Sequence, residues 1–154
     1  MVSFWKSIVL ISIVFIVLFV TIIFADAEGL ISAPERSSPG DWIKEDQIRV
    51  YSDHINLDIK NANWSKFTNT NSMDPFLDEA SNAIEIMPES PEDIQVGDII
   101  SYETVYGILI HRVTEIGEDG DGIYYIMKGD NNTLRDPFKV RFSDVHGVLV
   151  AIIY

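Results

Sequence analysis

A serine hydroxyl becomes a nucleophile when a neighbouring base takes its proton, and a carboxylate behind that base fixes the tautomer of an imidazole. This chain carries those parts in order. Thr70-Asn71-Ser72-Met73-Asp74-Pro75-Phe76 sets a serine at a polar turn, and Leu109-Ile110-His111-Arg112-Val113 sets a histidine in an apolar strand pattern 39 positions after it. Lys128-Gly129-Asp130-Asn131-Asn132 then leads to Asp136, just before Pro137. The chemistry such a set performs is acyl transfer to water. Taken singly, each part has a commoner use. Ser72 can cap a turn before Pro75, His111 can be a core histidine, and Asp130 can hydrogen-bond its own Gly-Asp-Asn-Asn turn. Only the conjunction names a reaction. His54 and His146 stand in no comparable segment, and Lys128 is a rival base that lies away from the base position.

The same segments resemble type I signal peptidases, within them the archaeal and endoplasmic-reticulum branch. The matching residues are Ser72-Met73-Asp74-Pro75, Gly97-Asp98-Ile99, His111-Arg112-Val113, Lys128 to Asn132, and Asp136, across roughly residues 68 to 154. The resemblance implies Ser72 as nucleophile, His111 as general base where the bacterial branch has a lysine, and Asp136 as the orienting carboxylate. Asp130 would be an auxiliary structural group beside Arg112. The oxyanion donors would be the Ser72 N–H and the Thr70 hydroxyl. Asn71 departs from the family's usual glycine, which puts the geometry of that hole in question, although Asn tolerates unusual backbone angles.

The elements that must position these residues read as strands. Gln47–Tyr51 and Ile55–Lys60 alternate with period two, as do Ala83–Met87 and Ile99–Glu103. Ile108–Ile116 and Ile123–Met127 flank the acidic, Gly-rich residues 117–122 as a hairpin, and Val140–Phe142 with Val148–Tyr154 complete the chain. On an unbulged strand Leu109, His111 and Val113 share one face, leaving Arg112 on the other to reach an acidic partner such as Asp130. One helical turn is expected near Pro75. The expectation is an all-β domain over 47–154, and the resemblance implies a signal-peptidase/LexA-like, β-barrel-type core of several short sheets.

Before that domain, Ile8 to Ala25 runs 18 residues without a charge. As a helix it spans about 27 Å, close to the ~30 Å hydrocarbon core of a bilayer. Lys6 precedes the run and Asp26 and Glu28 follow it, so residues 1–25 read as a signal anchor with the rest of the chain extracytoplasmic. Ala25-Asp26-Ala27 also has the form of a signal-peptide cleavage site, but the apolar run is longer than a cleaved h-region. Residues 26–46, rich in Pro, Ser, Gly and charge, read as a juxtamembrane linker.

Composition narrows the partners. After residue 25 there are ten Lys/Arg against 24 Asp/Glu, a net charge of −14, so nucleic acid finds no basic surface. With no cysteine there is neither a disulfide framework nor a thiolate metal site. Glu118–Gly122 lacks the spacing of a calcium loop, and the sequons at Asn63 and Asn131 are short patterns. No cofactor or metal is expected. The resemblance implies a membrane-bound serine endopeptidase that removes signal peptides from translocated preproteins, near a translocon. Its substrate would lie as an extended strand at a sheet edge, with Ala-like side chains in shallow pockets at positions −1 and −3. Two alternatives share much of this pattern: a LexA-like self-cleaving protease, which uses a lysine base and needs no span, and an inactive, membrane-tethered β domain that only binds peptides.

Overall fold

A computed structural model describes the backbone of residues 2–31 and 36–154, and side chains at 4, 5, 8–21 and 36–154. The chain divides into two units, Met1–Arg36 and Ser37–Tyr154.

In the second unit the period-two pattern forms strands throughout. β1 (Ile48–Val50) and β2 (Ile55–Leu57) pair as a small antiparallel sheet. β3 (Ala62–Lys66), β4 (Asn82–Ile86), β5 (Ile99–Thr104), β6 (Gly107–Asp119), β7 (Gly122–Lys128), β8 (Val140–Arg141) and β9 (Val145–Ile153) form one seven-stranded sheet. Its order is β3-β4-β9-β5-β6-β7-β8, with every pairing antiparallel. The unit is all-β. It differs from a core of several short sheets because β9 is long enough to pair with both β4 and β5, joining them into one sheet.

Consecutive residues of the central strands enter different cores, as alternation requires. Ile100, Tyr102, Val113, Tyr125, Met127 and Val148 are fully buried on one face. Ile99, Ala83 and Leu149 pack on the other with Met73 and Leu77, which come from the segment after Ser72. Burying each large apolar side chain contributes roughly 1.5–3 kcal/mol before the cost of ordering the chain. The serine segment is therefore fastened by its own apolar residues.

Two sequence readings shift. The strand Ala62–Lys66 was not expected; Asn63-Trp64-Ser65 read only as a sequon, yet it pairs with β4. The folded unit also begins at Ser37 rather than near residue 47. Asp98, fully buried, accepts hydrogen bonds from Gly40 N (2.6 Å) and Trp42 Nε1 (3.0 Å), and Trp42 packs on the first core. Gly97 permits this close approach, since a Cβ there would lie 2.1 Å from Ser38 O.

In the first unit, α1 (Val2–Ile31) is helical past the expected end at residue 25. Its described apolar side chains from Ile8 to Val20 are exposed. Among the described residues no helix is long and apolar enough to cross a membrane. The described side chains of the apolar run cover residues 8–21, about 21 Å of helix. Lys6, residues 22–25 and the Ala25-Asp26-Ala27 site lie outside the described side chains.

Candidate active site

β5 and β6 bring a tyrosine and the histidine together. The register sets Ile100 opposite His111 and Tyr102 opposite Leu109, so Tyr102 and His111 are diagonal neighbours on one face. His111 Nδ1 lies 2.7 Å from Asp136 Oδ2, with both side chains nearly buried. The Tyr102 hydroxyl donates to the same Asp136 Oδ2 and lies 3.2 Å from His111 Nδ1. Asp136 is itself held by its backbone N–H on Met127 O at 2.8 Å. A carboxylate only accepts, so these partners assign the proton of a neutral His111 to Nδ1 and leave Nε2 as the basic nitrogen. Burial first, then the hydrogen bond to Asp136 and its charge, push the pKa of Tyr102 far above the ordinary tyrosine range. Its hydroxyl therefore stays a donor.

Ser72 stands at the head of a turn closed by Phe76 N and Leu77 N on Met73 O, each at 3.1 Å, where a helical turn was expected. Asn71 before it has φ 57°, the left-handed region, which is the conformation a glycine at this position supplies and Asn also tolerates. The segment 129–132 clamps this turn. Asn131 N donates to Ser72 O and Asn131 Nδ2 to Asn71 O, both at 2.9 Å. Gly129 is required by the contact, because a Cβ would lie 2.6 Å from Ser72 O.

Arg112 holds the clamp in turn. Its Nε and Nη2 donate to the two oxygens of Asp130 at 2.8 and 2.6 Å, and its Nη1 donates to Gly97 O at 2.7 Å. The pair lies across the strand from His111, as alternation places it. β6 bulges only beyond Val113, so the alternation through His111 is intact.

Ser72, Thr70 and His111 line one cavity of about 410 Å3. The Thr70 and Ser72 hydroxyls are 3.1 Å apart; among the described residues no hydrogen bond joins Ser72 to His111. Asp136 reaches the site from behind His111, and Asp130 acts on the backbone below Ser72. Lys128 ends β7 opposite Arg112 and is not part of the cavity wall. His146, which the sequence left without a role, does line the cavity, with Nε2 3.5 Å from Glu103 Oε2. His54 lies elsewhere, stacked on Tyr51.

Sequence reasoning missed Tyr102 and Glu85. Tyr102 shows only as an inward position of a strand, and buried tyrosines there are ordinary. Glu85 occupies an alternation position that would suit a wet face, yet it is 4 % exposed and lines the cavity. No protein-family model, curated protein or solved structure matches this chain.

Proposed function

We propose that this chain is a membrane-tethered serine endopeptidase of the type I signal peptidase kind, acting on preproteins after translocation. The observation that carries the reading is the 2.7 Å contact of His111 Nδ1 with Asp136 Oδ2, in a histidine that shares its cavity with Ser72. The motif resemblance adds the substrate class. The apolar circumference of α1 and the 18-residue uncharged run support the tether.

In this reading His111 Nε2 takes the Ser72 proton as Oγ attacks the scissile carbonyl carbon. Asp136 holds the imidazolium that forms. The Ser72 N–H and the Thr70 hydroxyl, already beside Ser72 Oγ, stabilise the oxyanion. Collapse breaks the C–N bond, His111 returns its proton to the leaving amine, and water releases the acyl group by the same steps in reverse roles. A histidine base and an apolar N-terminal helix both weigh against the LexA-like alternative. The absence of a Ser72–His111 hydrogen bond among the described residues favours a second reading, a tethered peptide-binding domain without catalysis. Catalytic hydrogen bonds commonly tighten only when substrate is bound, which keeps the peptidase reading first.

The test is to incubate the full-length protein in detergent with a preprotein and sequence the new N-terminus. A single cut at the end of the signal peptide is expected. A bound but uncut preprotein would favour the binding domain.

A further inference from the structure

We propose that the side-chain amide of Asn131 aims the Ser72 N–H at the developing oxyanion, acting as a positioning residue that touches no substrate atom. The proposal rests on the reading of Ser72 as the nucleophile and of its N–H as an oxyanion donor.

The Ser72 N–H shares one peptide group with the Asn71 carbonyl. That peptide is trans, so the two bonds point in opposite directions, and whatever holds the carbonyl sets where the N–H points. Asn131 Nδ2 donates to Asn71 O, and Asn131 N donates to Ser72 O, both at 2.9 Å. One residue thus holds the carbonyls on either side of Ser72. The Ser72 N–H itself has no hydrogen-bond partner among the described residues, which leaves it free to meet an oxyanion.

The other hold on Asn71 O is weak. Asp74 N reaches it at 3.4 Å, where a hydrogen bond contributes little. Asn71 sits at φ 57°, a conformation that costs a non-glycine residue energy and persists only where its surroundings fix it. Without the amide the peptide plane can tilt, and a donor displaced from the oxyanion position loses much of its effect. A hydrogen bond on the carbonyl also polarises the peptide and strengthens its N–H as a donor.

The amide is held firmly at its own end. Arg112 grips Asp130 beside it, and Asn132 N closes the turn on Gly129 O at 3.0 Å. Asn131 is exposed and does not line the cavity, so shortening its side chain opens no core void and removes no cavity wall. Its backbone N–H to Ser72 O survives any substitution except proline. What a shorter residue loses is the bond to Asn71 O.

The experiment compares full-length wild type, Asn131→Ala and Asn131→Ser in detergent. It measures kcat and KM for a preprotein, inhibition by a peptide aldehyde ending in alanine, and melting temperature. The aldehyde adds to Ser72 Oγ and places an oxyanion in the hole. In both variants kcat and kcat/KM should fall together by about 10- to 100-fold with KM little changed, a part of the ~100- to 1,000-fold that losing an oxyanion donor outright costs. Affinity for the aldehyde should fall in parallel, and cooling should not restore the rate. A folded variant with near-wild-type kcat overturns the proposal, as does a loss that tracks the folded fraction and leaves aldehyde affinity unchanged. Failure of both variants to fold also overturns it, because the amide would then hold the unit together rather than aim one N–H. A wild-type chain that neither cleaves the preprotein nor binds the aldehyde overturns the peptidase reading itself, and the oxyanion role with it.

Discussion

Arg112 grips Asp130 through two parallel hydrogen bonds of 2.8 and 2.6 Å, and through it fixes the backbone beneath Ser72. Asp130 belongs to the turn whose Asn131 holds Ser72 O and Asn71 O. Its influence on chemistry is therefore indirect. Asp130→Asn should lower stability by about 1.5–3 kcal/mol, the range for a hydrogen bond to a charged group. Activity should fall with the folded fraction and recover as temperature is lowered. Paired melting curves and turnover measurements check this.

Asp136→Asn should do the reverse. The amide keeps the shape but can hold His111 in the wrong tautomer, so turnover should drop by roughly 100- to 10,000-fold with a nearly unchanged melting temperature. A folded, inactive Asp130→Asn beside an active Asp136→Asn would exchange the roles of the two carboxylates.

The base can be identified by the pH profile. A histidine base loses activity as pH falls, because a protonated imidazole can no longer accept a proton from Ser72. A lysine base would instead gain activity well into the alkaline range. His111→Lys should not restore turnover at neutral pH, and Lys128→Met should leave the profile in place.

Tyr102 ties stability to alkaline pH. Burial and Asp136 raise its pKa in the folded state, and burial followed by the charges of Glu92 and Asp93 raises that of Tyr125 to about 12. A tyrosine whose folded value lies above its unfolded one, near 10, stabilises fully below about pH 10. That contribution is lost as pH rises, from about 10 to 12 for Tyr125 and further for Tyr102. Tyr125→Phe should flatten the fall in melting temperature above pH 10. Tyr102→Phe should do likewise and also cut turnover about tenfold, since Asp136 loses a donor that fixes its orientation.

Much of this arrangement was legible before any coordinates. His111 and Arg112 lie on opposite faces because a strand alternates, and Arg112 found Asp130 because an inward guanidinium needs an anion. Other features depend on chain segments far apart in sequence. Trp42 joins the folded unit because its indole meets Asp98, 56 residues on. Tyr102 meets Asp136 only because β5 pairs with β6 and the 129–136 segment returns beside it. Glu85 is buried because Gly147, on a neighbouring strand, leaves space for it. Local periodicity carries no trace of such contacts. Asn71 is the intermediate case: φ 57° follows from what a glycine position demands, although the residue itself is not glycine.

The proposed role of Ser72 as nucleophile is tested by the rate at which full-length wild-type and Ser72→Ala protein cleave the same preprotein, with melting temperatures taken in parallel. With Ser72 as nucleophile, Ser72→Ala should lose at least about a thousandfold in rate at an unchanged melting temperature. Cleavage at a comparable rate by the folded Ser72→Ala protein would contradict it.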